Sequence, residues 1–260
     1  MKVVLFCGGL GMRLYPTTEN TPKPLVPIGD RPILWHLMKY YSHFGHKDFL
    51  LCLGYKGEEI KRYFLNYDEC LSSNFVLSNG GRTREIIGKD IDDWKITFVD
   101  TGLNSNCGRR LKAVQKYIEN EEVFLANYSD GVTDLRLTYL IDFFIKKDKI
   151  ACMLSVNPFH SYHALLTGDD GCVTGITPLA QSGLRINGGF FVFKNTIFDY
   201  IENGEDLVNE PFQRLMAKKE LVAYNFEGFW ASMDTYKDKQ LLDELASSGK
   251  AYWQVWNPPK

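Results

Sequence analysis

The sequence predicts an α/β fold, a mostly parallel sheet flanked by helices. Three observations carry this: apolar runs too short for helices, segments of helical period between them, and a loop with three glycines closing the first run. "KVVLFCG" at 2–8 reads as a strand buried on both faces. At 33–44, "ILWHLMKYYSHF" places apolar side chains at 33, 34, 37, 38, 41 and 44, the helical period, and Gly45 stops it. "DFLLCLG" at 48–54 is a second buried strand, and "GEEIKRYFLNY" at 57–67 a second helix. The alternation continues with the strand "KITFVDTG" (95–102), the helix "RRLKAVQKYIEN" (109–120), the strand "EVFLANYSDG" (122–131), the helix "LTYLIDFFIKK" (137–147) and the strand "KIACMLSV" (149–156).

Beyond residue 156 the rhythm changes. Short strand-like pieces are separated by "GDDG" and "QSG", then come "GGFFVFK", two helical segments, "ELVAYNF", the tight run "EGFWASMDT" and a last helix from about Asp234. No linker marks the change, so the expectation is a single domain over 1–260. Within it, 1–156 forms a nucleotide-binding part and 157–260 an acceptor-binding, C-terminal part that completes the site.

A hydrophobic content of 45% with 24% charged residues is that of a folded chain, which excludes extended disorder. A net charge of −2, with Lys and Arg dispersed, gives no electrostatic basis for nucleic-acid binding. No apolar run reaches the length of a membrane span and no cleavable leader opens the chain, so the expected location is the cytoplasm. The six cysteines lack C-x-x-C spacing and read as reduced. The pairs His43/His46 and His160/His163 have too little ligand chemistry around them for zinc.

The stretch "CGGLGMRLYPTTENTPKPL" carries the chemistry. Gly8, Gly9 and Gly11 let backbone amides approach an anion at the carboxyl end of a strand. Arg13 offers a fork of donors, and Lys23 a point charge stiffened by Pro22 and Pro24. A Walker loop is excluded by the missing G-K-[ST]. The dinucleotide fingerprint is excluded because Pro16, Pro22, Pro24 and Pro27 hold the segment extended where a helix must start. Taken as isolated residues, Asp130 reads as a turn residue before Gly131, Asp234 as a helix N-cap, and Arg110 as a solvated helix cation.

"GGLGMRLYPTTENTPKPLVPI" resembles the signature of the sugar nucleotidyltransferases, with Met12 where threonine is usual. "VDTG" followed by "GRRLKAV", "YSDGVTDL", "INGGFFVF" and "GFWASMDT" look like the glucose-1-phosphate cytidylyltransferase branch of that family, in matching order over nearly the whole chain. The resemblance implies a Rossmann-like mixed sheet of the nucleotidyltransferase (GT-A-like) type, with a smaller C-terminal acceptor-side subregion. It also implies a phosphate oxygen of a sugar 1-phosphate attacking the α-phosphorus of CTP, with release of pyrophosphate. Under it Arg13 holds the pyrophosphate, Lys23 the α-phosphate, and Asp130 and Asp234 bind Mg²⁺. Gly8, Gly9, Gly11, Met12, Thr101, Gly102, Arg110, Tyr128, Ser129 and Asp130 match nucleotide-side positions, and relatives are oligomeric, which implies a homo-oligomer.

The acceptor side departs from the pattern. The family's Glu-Lys-Pro before N-x-G-G-F is absent from "GITPLAQSGLRINGGFF", Arg109 replaces a glycine, and His163 stands where glycine is usual. The expectation is that Arg185 or His163 takes the acceptor phosphate beside Asn187 and Gly188. Three alternatives stay open from sequence: another phosphorylated acceptor, another triphosphate, and a non-catalytic nucleotide-binding protein.

Overall fold

The computed structural model describes residues 1–14, 17–19, 21–67, 74–87, 90–158 and 162–257; Pro16, Cys70 and His160 lie outside them. β1 (Val3–Phe6) is buried along its whole length. No helix follows it directly, as expected, but the proline-rich stretch is turned instead of extended. It makes two 3-10 turns, Met12–Leu14 and Lys23–Leu25, then the small hairpin of β2 (Pro27–Ile28) and β3 (Arg31–Pro32). The backbone explains the difference: Leu14 N–H donates to the Gly11 carbonyl at 3.0 Å and Leu25 N–H to the Pro22 carbonyl at 2.8 Å. Pro24 fits inside its turn because the first positions of a helical turn need no N–H.

The chain continues through α1 (Ile33–His43), β4 (Asp48–Leu53) and α2 (Gly57–Leu65). Next come the hairpin β5 (Asn74–Ser78)/β6 (Thr83–Ile87), which the periodicity did not assign, β7 (Lys95–Asp100), α3 (Cys107–Ile118) and β8 (Val123–Asn127). β9 (Gly131–Thr133), α4 (Leu137–Lys147), β10 (Ala151–Val156) and the hairpin β11 (His163–Thr167)/β12 (Val173–Pro178) follow. The rest is β13 (Ile186–Lys194), α5 (Glu210–Ala217), β14 (Leu221–Phe226), β15 (Trp230–Ser232) and α6 (Tyr236–Ser247).

Seven strands form one mixed sheet in the order β14-β10-β13-β8-β1-β4-β7. β8, β1, β4 and β7 are parallel, β10 is parallel to β14, and β13 runs antiparallel between β8 and β10. Alternating side chains of β1 feed two cores: Val3 and Leu5 pack with α1 and α4, and Val4 and Phe6 with α3 and α5. A third core, with Leu14, Val26, Ile28, Val132, Met233, Leu242 and Trp253, clamps the glycine-rich stretch to β9, β15 and α6. Among the described residues no helix is long and apolar enough to cross a membrane, and the five described cysteines form no disulfide.

Candidate active site

The chain leaves β1 for β4 on one side and returns to β8 on the other, so the carboxyl ends of β1 and β8 flank a topological switch point, where open α/β sheets bind ligands. The glycine-rich loop leaves β1 there, and Tyr128, Ser129 and Asp130 leave β8. Between them lies a cleft of two lobes, about 390 Å³ and 480 Å³, joined along Phe6, Gly9, Leu10, Tyr128 and Asp130. Gly11, Met12, Arg13, Lys23, Ser129 and Asp234 line the first lobe; Gly8 and Arg110 line the second.

Asp130 and Asp234, about a hundred residues apart in sequence, meet through a short ladder. β9 pairs antiparallel with β15, Ser232 opposite Gly131, and Met233 N–H donates to the Asp130 carbonyl at 2.9 Å. Asp130 precedes β9 and Asp234 follows β15, so the ladder sets the two side by side. Asp234 is not the cap of α6. Thr235 is, its side chain accepting from Asp238 N–H at 3.2 Å while Asp238 accepts from Thr235 N–H at 2.8 Å, a full capping box. The Asp234 carboxylate is thereby left for the cleft, and Asp130 is likewise more than a turn residue.

Lys23 Nζ donates to Asp130 Oδ2 and to Asp234 Oδ1, each at 2.7 Å. Arg13 donates to the same Asp234 oxygen at 2.8 Å, and the Ser232 hydroxyl to its other oxygen at 3.0 Å. Burial pulls the Lys23 ammonium down, but the two carboxylates outweigh it and hold the pKa above its ordinary value. Burial raises Asp130 against the pull of Lys23, while Asp234 is held low because Lys23 and Arg13 together overcome its burial. Arg13 is 73% exposed on its side chain and Lys23 13%, so the first is a surface cation and the second a largely buried one.

Arg110 is not a solvated helix cation. It is 4% exposed, and its guanidinium donates to the carbonyls of Leu53 (2.9 Å), Gly102 (3.0 Å), Gly8 (3.0 Å) and Leu103 (3.3 Å) and to the Thr101 hydroxyl (2.7 Å). It ties together the carboxyl ends of β1, β4 and β7. Thr101 is spent the same way, donating to the Leu53 carbonyl at 2.7 Å, and neither Thr101 nor Gly102 lines the cleft. Gly8 is required by this packing, since a Cβ there would stand 2.2 Å from the guanidinium, whereas a Cβ on Gly9 would meet open space. Ser129 donates to the Phe6 carbonyl at 2.8 Å and holds β8 to β1.

The acceptor-side residues do not join the cleft. Arg185 donates to the Ser155 hydroxyl and carbonyl, to Asn157, to the Phe226 carbonyl and to Glu227, so the guanidinium expected to reach a phosphate is used at the carboxyl ends of β10 and β14. His163 is exposed on β11, opposite Pro178 of β12. Gly188 accepts from the Trp230 indole at 2.8 Å through its carbonyl, and Asn187 donates to the Tyr128 hydroxyl at 3.1 Å, which links this group to the cleft wall. Sequence reasoning missed Ser232, Asn106, Cys107 and Asp206. Only the T-x-x-D signal of the capping box, next to Ser232, was open to it.

The donor set suits a hard divalent cation. Two carboxylates meet at the Lys23 ammonium, and among the described residues no group of three or more His, Cys, Asp or Glu side chains is placed to hold a metal ion. Two carboxylates leave the other coordination positions to phosphate and water.

A parallel switch-point cleft with a glycine-rich loop, a lysine and two aspartates defines a class of enzyme that handles nucleoside phosphates. Residues 2–253 match the Nucleotidyl transferase family, and the chain belongs to it. It is 41% identical over 257 residues to the glucose-1-phosphate cytidylyltransferase of Salmonella typhimurium and 42% identical over 258 residues to that of Salmonella typhi, covering 98% of this chain and 100% of each relative. Its fold is shared by UDP-glucose pyrophosphorylase complexed with UDP-glucose (TM-score 0.69, 14% identity, 95% of this chain and 98% of that one). HddC from Yersinia pseudotuberculosis also shares it (TM-score 0.64, 22% identity, 94% and 98%).

Proposed function

We propose that this enzyme transfers CMP from CTP to a sugar 1-phosphate, glucose 1-phosphate first among the candidates. The observation that carries the reading is the Lys23 ammonium held between Asp130 and Asp234 on the floor of the cleft. An oxygen of the sugar phosphate attacks the α-phosphorus, the new P–O bond forms as the bond to the β-phosphate breaks, and pyrophosphate leaves. No side-chain nucleophile is needed, so the protein contributes alignment and charge neutralisation. Lys23 neutralises the phosphate under attack. Arg13, exposed at the rim of the first lobe, holds the departing pyrophosphate. Gly9 and Gly11 bring the backbone against the triphosphate. Asp130 and Asp234 would hold Mg²⁺, which when bound would supply positive charge against the negative charge that develops on the phosphates.

Arg110 acts as a positioning residue for the loops after β1 and β7. Arg185 positions the ends of β10 and β14. Exposed Leu165, Leu166, Val173 and Ile176 on the β11–β12 hairpin favour contact with a second copy of the chain. The test is pyrophosphate release against four triphosphates and a panel of sugar 1-phosphates with Mg²⁺ present. Release with CTP and glucose 1-phosphate is the expected outcome; triphosphate binding with no release anywhere points to a non-catalytic binding protein.

A further inference from the structure

One more carboxylate lines the cleft and takes no part in the chemistry above. Asp206 sits in the second lobe with Gly8, Asn106, Cys107 and Tyr128. Its place is built into the fold. A Cβ on Gly108, in the first turn of α3, would come 2.3 Å from the Glu205 carbonyl oxygen, so glycine is what lets this loop lie against the helix. Asn106 fastens the same loop by donating to the Gly204 carbonyl at 3.0 Å. Burial and then the Asp206 charge push the Cys107 thiol up to about 12, and Asp206 acts in the same sense on the Tyr128 hydroxyl; both groups are within its electrostatic reach.

Among the described residues the Asp206 carboxylate has no hydrogen-bond donor and no ion-pair partner. Arg110, the cation of this lobe, turns its guanidinium to backbone carbonyls and Thr101. Asp206 is half-buried and lines the open lobe, where a carboxylate repels phosphate and is free to accept a hydrogen bond from a ligand. The cations that take phosphate, Arg13 and Lys23, line the other lobe, and the shared residues mark the junction between the lobes. Phosphates at one end and ribose at the junction put the base in the second lobe.

We infer that Asp206 is a specificity-determining residue, accepting a hydrogen bond from the exocyclic amino group of the pyrimidine. Uracil presents an oxygen at that position, acceptor against acceptor, whereas cytosine presents the donor. The inference rests on CTP being the donor substrate.

The experiment measures kcat/KM with CTP, UTP and dCTP for the wild type and Asp206→Asn, with melting temperatures alongside. The amide can offer N–H to uracil, so the CTP:UTP ratio is expected to fall by at least about tenfold, while the CTP:dCTP ratio and Tm hold. An unchanged CTP:UTP ratio with a fallen CTP:dCTP ratio would put the carboxylate on the ribose and overturn the inference. Equal losses for all three substrates with a lowered Tm would make Asp206 a stabiliser of the α3 N-terminus and overturn it as well. Should the amide variant fail to fold, Asp206→Ser repeats the comparison. A wild type without preference for CTP defeats the donor assignment itself, before any substitution is made.

Discussion

Lys23, Asp130 and Asp234 form a cluster in which each side chain sets the charge state of the others. Asp234→Asn keeps the shape and, because Thr235 caps α6, spares the fold. Turnover is expected to fall on the order of a hundredfold or more, with a thermal transition close to wild type; near-normal rates would remove Asp234 from the site. The aspartates also respond differently to acid. Burial raises Asp130, whereas Lys23 and Arg13 hold Asp234 low, so Asp130 takes up a proton first as pH falls. If both carboxylates hold the cation as proposed, affinity for a divalent cation is expected to fall with acid from above the ordinary aspartate range, and titrations at a series of pH values follow it. Lys23, held above its ordinary value, stays charged throughout and contributes no alkaline limb.

Between residue and fold, the working parts are short elements anchored by single side chains. Leu14 is fully buried beside exposed Met12 and Arg13, and it pins the glycine-rich stretch into the third core. Leu14→Ala is expected to cost about 2–5 kcal/mol and to raise the CTP KM, since the loop carrying Arg13 loses its anchor. Denaturant unfolding and steady-state kinetics check the two halves of that expectation. α1, α2, α3 and α4 were legible in the sequence because their apolar residues repeat with the helical period, a local property. The β9–β15 ladder was not, because three-residue strands have no usable period and their pairing spans about a hundred residues. Without that ladder the meeting of Asp130 with Asp234 rested on family resemblance alone. Arg110 read as exposed because a helix pattern does not reveal that three strand ends converge on one guanidinium. Asp206, a polar residue in a polar loop, carried no pattern at all.

At the scale of the molecule, β13 joins the two parts of the chain in one sheet. It lies between β8 and β10, so residues on both sides of position 156 build one sheet. A fragment of residues 1–156 lacks that strand, and calorimetry is expected to show no cooperative transition. A second long-range contact joins α1 to the C-terminal segment. His36 is 3% exposed, its Nε2 on the Ile28 carbonyl at 3.1 Å and its Nδ1 accepting from the Trp253 indole at 3.3 Å. Burial pushes its pKa down to about 4. Between the ordinary histidine range and pH 4 the unfolded chain binds a proton that the folded one refuses, so stability is full at neutral pH and declines toward pH 4. The loss amounts to about 3 kcal/mol. His36→Gln is expected to flatten that decline in denaturant titrations across the same range.

The buried guanidinium of Arg110 has no carboxylate beside it among its acceptors, only carbonyls and a hydroxyl, whereas Arg13 stands in solvent. Added salt screens exposed charges over about 8 Å at physiological ionic strength and reaches buried ones far less. Nucleotide capture should therefore divide into an ionic-strength-sensitive part that belongs to Arg13 and a residual part that persists at high salt. Arg13→Gln is expected to flatten the plot of log association rate against log salt, with the intercept at high salt left in place.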